Sequence, residues 1–454
     1  MTLTDAPVRW TPAARLSAAG IVSIAFLVAF ESFAVATALP VVADDLDGLR
    51  LYALSFAAPI ALSVVTMTVA GPWSDRRGPA RAFLTGLALF AVGLVGAGGA
   101  GTMVTFVLGR AVQGLGSGLV AVALYVLVAR TFPDEQRPLV FALLATGWVL
   151  PAVVGPPVAG AVAEHVGWRW VFLAVPVLVL PILALLGPTL RATTGPDPAA
   201  TSGPDPRAAG RVGLAVVVST AVAAVSVAGQ REVTAWPLLL GAGLVVALVA
   251  APRLLPPGTW TGGRGVPSII ATRSTLFAGF FGAEVYLPLA LVEHRGLTPT
   301  QAGLVLTAPA LLWATGSWAA ARWPRLASRT LRVRLGVLLV VVATASSLLS
   351  LVPQVPVVVV GALWALGGLG MGLATSTLAV LLLEAAQARG SSGADSASMQ
   401  TSDAVTQVLV LSLGAVVFAA LVGGHGDLAF AVVMAAAVVV STLAVPLSAR
   451  LREA

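Results

Sequence analysis

The chain has 454 residues, 58% of them hydrophobic and 10% charged, with a mean hydropathy of +0.97 and a formal net charge of +7; so little polar surface cannot cover a water-soluble globule, and lipid must solvate most of it. It has no Cys, and all 26 basic residues are Arg, which excludes thiolate metal sites, disulfides, Cys nucleophiles, Schiff-base chemistry and the phosphate-binding Lys of an ATP motor. The arginines are scattered between apolar runs, so no nucleic-acid partner is expected, and His165, His294 and His425 all fall in connections, which leaves no paired intramembrane haem ligands.

Apolar stretches that reach the length needed to cross a hydrocarbon core, about 20 residues, run near 15–41, 51–71, 82–100, 103–130, 138–163 and 169–190. The first carries Glu31 and has no small-residue cleavage site, so it reads as a retained helix and not as a signal peptide. Residues 191–210 contain GPDP twice in a Pro-, Gly- and Ala-rich context and read as a flexible cytoplasmic linker. Two shorter apolar segments follow near 211–228 and 236–251, then six long ones near 266–292, 298–321, 333–351, 355–384, 395–422 and 428–449.

Cytoplasmic loops hold the excess of positive charge in membrane proteins. With both termini inside, only Arg50, Arg169, Arg231 and Arg295 fall outside, and Arg110 lies within a span. An odd number of central spans would reverse the second set and expel the 322–334 arginines. The expectation is therefore fourteen spans, with twelve plus an interfacial hairpin as the alternative. The domain reading is a six-helix bundle over 1–190, the linker over 191–210, two additional helices over 211–265 and a second six-helix bundle over 266–454.

The two bundles resemble each other. Gly114, Gly116 and Gly118 of the fourth segment recur in register as Gly368, Gly370 and Gly372, and Ala58-Pro59 returns as Ala308-Pro309. Related halves of this kind enclose a pathway near the bilayer midplane that opens alternately to each side.

Four local motifs then carry a resemblance. Gly71-Pro72-Trp73-Ser74-Asp75-Arg76-Arg77-Gly78-Pro79-Ala80-Arg81 is similar to the signature loop of the major facilitator superfamily, with Ala80 departing from the pattern. Gly78 permits a tight turn, and Asp75 suits a gate in which it meets Arg or a helix N-terminus. Arg130 is grouped with this gate. Arg110-Ala111-Val112-Gln113-Gly114 is similar to the family's pattern of Arg, two residues, Gln and Gly. Gly147, Pro151, Gly155, Pro156 and Gly160 resemble the antiporter signature, with Ala159 replacing one Gly; Pro and small residues bend a helix and let a neighbour slide against it. Glu31 stands nine residues before Pro40 of Ala38-Leu39-Pro40, which resembles a segment of the fourteen-helix drug:proton antiporters. The resemblance implies an all-α integral membrane protein of the major facilitator fold, with no cofactor, no enzymatic activity and the proton gradient as energy source. It also implies multidrug efflux and antibiotic resistance, with a monomer expected, and the Arg-only basic composition with abundant Ala, Val and Gly points to a GC-rich bacterial genome and hence a bacterial inner membrane. A dedicated exporter of one metabolite, antibiotic or lipid is the alternative.

Three carboxylates fall inside predicted spans: Glu31, Glu284 and Asp403. A carboxylate whose surroundings change between two conformations can take up and release a proton. Glu31 and Arg110 are matched in depth from the outer ends of their segments, so they are expected to meet in one state and separate in another; the plainer role for Glu31 is an interhelical hydrogen bond. Glu284 lies near the midplane and suits either a proton site or a contact for a cationic substrate, with Gln113, Trp148, Phe281 and Tyr286 as cavity candidates. Asp403 lies nearer the cytoplasmic end, as an entrance residue.

Overall fold

A computed structural model describes residues 10–133, 136–195, 208–229, 235–255, 257–322, 328–387, 392–424 and 426–451. Most of the predicted linker, 196–207, lies outside them. Among the described residues the chain forms fourteen α-helices: α1 (Pro12–Asp45), α2 (Leu54–Arg77), α3 (Pro79–Gly98), α4 (Met103–Thr131), α5 (Arg137–Val162), α6 (Arg169–Ala192), α7 (Ala208–Gly229), α8 (Trp236–Leu254), α9 (Val266–Arg295), α10 (Pro299–Arg322), α11 (Arg329–Ser347), α12 (Val357–Gln387), α13 (Ser392–Leu421) and α14 (Gly426–Ser448). Twelve are long and apolar enough to cross a membrane. Of the other two, α5 has 26 residues, about 39 Å of helix at 1.5 Å per residue, and α7 carries the apolar stretch Val212–Val225.

Local chemistry sets the helix ends. The Thr11 hydroxyl accepts from the Ala14 N–H at 3.1 Å and Pro12 follows at the first helical position, where its missing N–H costs nothing. Thr102 and Thr105 form a capping box at the start of α4, and Ser328 caps α11. Gly296, at a φ of 65°, closes α9 in the left-handed region, which favours a residue without a Cβ.

Two predicted boundaries shift. The 71–81 loop is mostly helix: α2 continues through Pro72 to Arg77, and the whole turn is Gly78 at a φ of 85°. Likewise α1 runs past Pro40 to Asp45. In both places the proline forfeits one backbone bond but neighbouring helices hold the segment in line, as is common for intramembrane prolines.

The short connections reverse the chain each time, so one face of the bundle carries the start of α1 and the end of α14 (the terminal face) and the opposite face carries the α1–α2 and α9–α10 connections (the far face). The packing is repeated. In the first half α4 packs on α2 and α3, α1 on α5 and α6, and α3 on α6; in the second half α12 packs on α10 and α11, α9 on α13 and α14, and α11 on α14. The paired glycines make this possible. Gly114 backs onto the Pro59 carbonyl and Gly368 onto the Pro309 carbonyl, while Gly116 meets Phe90 and Gly370 meets Gly336, all without room for a methyl group. Such close approach of backbones is what small residues supply in a membrane, where no hydrophobic force drives helices together.

Two seams join the halves, α5 against α10 and α2 against α13. The helices α7 and α8 pack on each other, and α7 lies along the second seam in contact with both α2 and α13. Ser219 of α7 donates to the Ala61 carbonyl of α2 at 2.6 Å. The fold is therefore two pseudo-symmetric six-helix bundles with an additional helix pair set against one side.

Candidate functional site

The site grows from a proline. Pro59 has no N–H, so the Ser55 carbonyl four residues earlier loses its helical donor, and a buried acceptor must find another. Arg110 of α4 supplies it: Nε donates to Ser55 O at 3.3 Å. Its Nη1 donates to both Glu31 of α1 and Gln113 of α4. All three residues are at least 96% buried. A lone charge at this depth would be costly, and the pair with its added hydrogen bonds is the arrangement that offsets desolvation. The expected meeting of Glu31 and Arg110 is thus observed, and Gln113 completes the cluster.

This cluster walls one chamber of about 330 Å³ between the halves. A second chamber of about 300 Å³ reaches toward α5 and α10. The two share Phe33, Trp148, Phe277, Phe281 and Glu284, so Glu284 stands where a polar arm and an aromatic arm meet. Among the described residues Glu284 has no hydrogen-bond or ion-pair partner. Around it Phe277 lies 5.6 Å from Phe281 and 5.9 Å, edge-on, from Trp313. Phe280 stacks on Trp364 at 4.7 Å with 10° between the planes. Ring faces carry partial negative charge, so the chamber can hold a lipophilic group and, at Glu284, a positive charge.

The register that pairs Gly114 with Gly368 also pairs Arg110 with Trp364. Where the first half has a buried ion pair, the second has a stacked aromatic pair.

One expectation is corrected. Tyr286 does not line the chambers with Phe281: one residue per 100° of turn carries it to another face of α9, where its ring packs 5.1 Å from Phe418. Asp403 lines neither chamber and accepts from Arg273 Nε at 2.8 Å and from the Ser274 hydroxyl at 2.9 Å. Arg273, which falls within the predicted 266–292 segment, sits in α9 with its guanidinium 4.9 Å over Phe277.

In the antiporter-like motif the residues divide between two neighbours. Gly147 and Gly155 face α1, near Val22 and Phe30, whereas Gly160 backs onto Pro299 and Thr300 of α10 and Gly303 of α10 backs onto the Pro156 carbonyl. Pro151 is buried within α5. Pro157 frees the carbonyl of Val153 as Pro59 frees that of Ser55, and Thr307 of α10 donates to it at 3.1 Å. Together with Thr300 donating to Glu164 at 2.8 Å and Tyr52 to the Val285 carbonyl at 3.0 Å, this bond joins the two bundles in the half of the molecule toward the far face. Outside the membrane, the Thr300 hydroxyl holds the Glu164 carboxyl below its ordinary value.

At the terminal face Gly71 begins the last turns of α2, Arg76 and Arg81 are exposed, and the Asp75 side chain is outside the described set. The Gly78 turn packs under the carbonyls of Thr193 and Gly195, and Arg130 donates to Gly195 O at 2.8 Å. The start of the predicted linker is therefore folded over the gate motif. In the second half, where the sequence offered no local Asp, Arg329 pairs with Glu384 from α12.

The paired bundles and the buried charge cluster facing a cavity between them define a membrane transporter. The sequence matches the Major Facilitator Superfamily over residues 21–402, and the chain belongs to that family of small-molecule transporters. It is 28% identical over 435 residues to a protein of Mycobacterium tuberculosis (strain H37Rv) named "Probable multidrug-efflux transporter", covering 91% of each chain. It is also 29% identical to the MFS-type transporter TwmF of Talaromyces wortmannii over 70% of this chain and 61% of that one. The fold is shared with a POT family transporter solved with 5-aminolevulinic acid (TM-score 0.68, 14% identity, 94% of each chain). It is shared too with a bacterial homologue of the human lysosomal transporter Spinster (TM-score 0.66, 12% identity, 97% of each chain).

Proposed function

We propose that the protein is a proton-coupled antiporter that exports small lipophilic compounds, cations among them, from a bacterial cytoplasm by alternating access. The observation that carries this reading is the buried Glu31–Arg110–Gln113 cluster facing a chamber shared with Glu284. Glu31 holds Arg110 while it is ionised. Protonation from the side of higher proton activity removes that attraction, and the Arg110 contact to α1 is the one that must then loosen. A substrate cation at Glu284 and a proton at Glu31 lie in adjoining chambers, so the departure of one and the arrival of the other act on one set of helices. No catalytic group, metal or cofactor is assigned.

Contacts gathered toward the far face support an arrangement closed there, and the arginine distribution supports placing the terminal face in the cytoplasm. In this arrangement the cavity faces the cytoplasm, the state that loads substrate for export. The solved Spinster homologue is described as inward-facing, and the mycobacterial relative's name supports efflux.

The test is reconstitution in liposomes with an imposed proton gradient and an internal pH dye, adding lipophilic cations, for the wild type and Glu31→Gln. Substrate-dependent proton movement, abolished in the variant at unchanged membrane insertion, is the expected result. Full movement in Glu31→Gln would remove Glu31 from the mechanism. Movement with only a single metabolite or lipid would replace the multidrug reading with a dedicated exporter.

A further inference from the structure

We propose a second ligand site, for one anionic phospholipid of the terminal-face leaflet, between α8 and the second bundle. A groove of about 560 Å³ lies there and shares no lining residue with the central chambers. Leu248 of α8, Leu413 of α13 and Leu443 of α14 line it and are 53%, 42% and 52% exposed, so its long side is open to hydrocarbon.

The groove ends at the terminal face under the segment that leads from α8 into α9, and the chemistry changes there. Trp260 lines this end and is 49% exposed, the placement favoured for an aromatic ring at the headgroup level. Thr259 is only 5% exposed, lines the groove, and its hydroxyl has no hydrogen-bond partner. A buried hydroxyl left unpaired is destabilising, and one facing a cavity calls for a ligand oxygen. Beside it Arg450 lines the same end, with Nη1 donating at 3.0 Å to the carbonyls of both Thr261 and Gly262. Those bonds fix the guanidinium at the mouth and leave its other N–H groups for an anion. The segments 254–266 and 430–450 contain no carboxylate and carry Arg264 and Arg450. Apolar walls open to lipid, ending in a fixed guanidinium and a free hydroxyl, match an acyl chain joined to a phosphate.

The occupant has a structural consequence. The main packing partner of α8 is α7, so a lipid in this groove would fill the space that separates α8 from α13 and α14.

The experiment is native mass spectrometry of the purified, delipidated full chain titrated with phosphatidylglycerol, phosphatidylcholine or glycerol 3-phosphate. One phosphatidylglycerol per chain should bind in preference to phosphatidylcholine, and glycerol 3-phosphate should not displace it. Arg450→Gln should weaken binding by about tenfold or more, the loss of a charge-assisted contact. Leu443→Trp, a change at a lipid-exposed position, should do the same by filling the groove, and serves if the first variant folds poorly. Equal binding of the two lipids, displacement by glycerol 3-phosphate, or full retention in a folded variant would overturn the proposal. No proton gradient or substrate enters the measurement, so its outcome is independent of the transport reading.

Discussion

Adding a single methyl at Gly160 tests whether the far-face seam must open for transport. A Cβ there would lie 2.7 Å from the Pro299 carbonyl oxygen and 2.7 Å from Thr300 Cα, both backbone atoms with no rotamer to yield. Ordinary contact begins near 3.4 Å, so α5 and α10 must separate by several tenths of an ångström. Overpacking of this kind costs about 1–3 kcal/mol. The strain falls only on the state in which this seam is closed. The balance between far-closed and far-open forms should therefore move roughly 5- to 150-fold toward the open one. The chain has no Cys, so cysteines at Val166 and Val352, 64% and 39% exposed on the far-face ends of opposite bundles, can be spin-labelled without background. Pulsed electron resonance should show a longer distance population in Gly160→Ala. Gly155→Ala is the control, because its Cβ would meet nothing nearer than 3.6 Å. Unchanged distances in Gly160→Ala, or equal shifts in both variants, would refute the reasoning.

Asp403→Asn should lower the melting temperature, by the equivalent of about 1–3 kcal/mol for an ion pair that is partly accessible, while proton-coupled transport persists; loss of coupling at unchanged stability would return Asp403 to the carrier. Gly368→Ala should destabilise by about 1–3 kcal/mol, because the Pro309 carbonyl occupies the space, whereas Gly361→Ala, whose Cβ would lie 3.8 Å from Val305, should leave the melting curve where it is. The Glu164 carboxyl is held below its ordinary value by Thr300. A depressed carboxylate contributes to the far-face contact above its ordinary value near 4.3 and loses that contribution as pH falls through the lower, bound value. Thr300→Val should raise the titration midpoint seen by carbon-13 NMR of labelled Glu164; an unmoved midpoint would show that the hydroxyl is not the cause.

Much of this architecture was legible because membrane helices announce themselves by length and apolarity. The internal repeat was legible because a glycine is kept wherever two backbones touch. Glu31 and Arg110 could be paired from depth alone, since each stands out as a charge in an apolar run. Tyr286 was misplaced because proximity in sequence to Glu284 says nothing of helix face, and a two-residue step turns a side chain through about 200°. The pairing of Asp403 with Arg273 had no signal of this kind, because the two lie 130 residues apart in the chain. Arg329 and Glu384 were missed together in the same way. The bonds from Arg110 to Ser55 and from Thr307 to Val153 did have a signal in the sequence. Each accepting carbonyl stands four residues before a proline, and a proline within a membrane helix marks where a neighbouring side chain is needed.

The exchange of Arg110 for Trp364 at equivalent places in the two bundles bears on how such a protein can change over generations. On the proposed reading, the energising chemistry is confined to the first bundle and most of the greasy lining to the second. Substitutions among Phe277, Phe280, Trp313 and Trp364 can then broaden or narrow what is carried without touching the charge cluster. A lineage built this way can alter its cargo while its engine stays as it is.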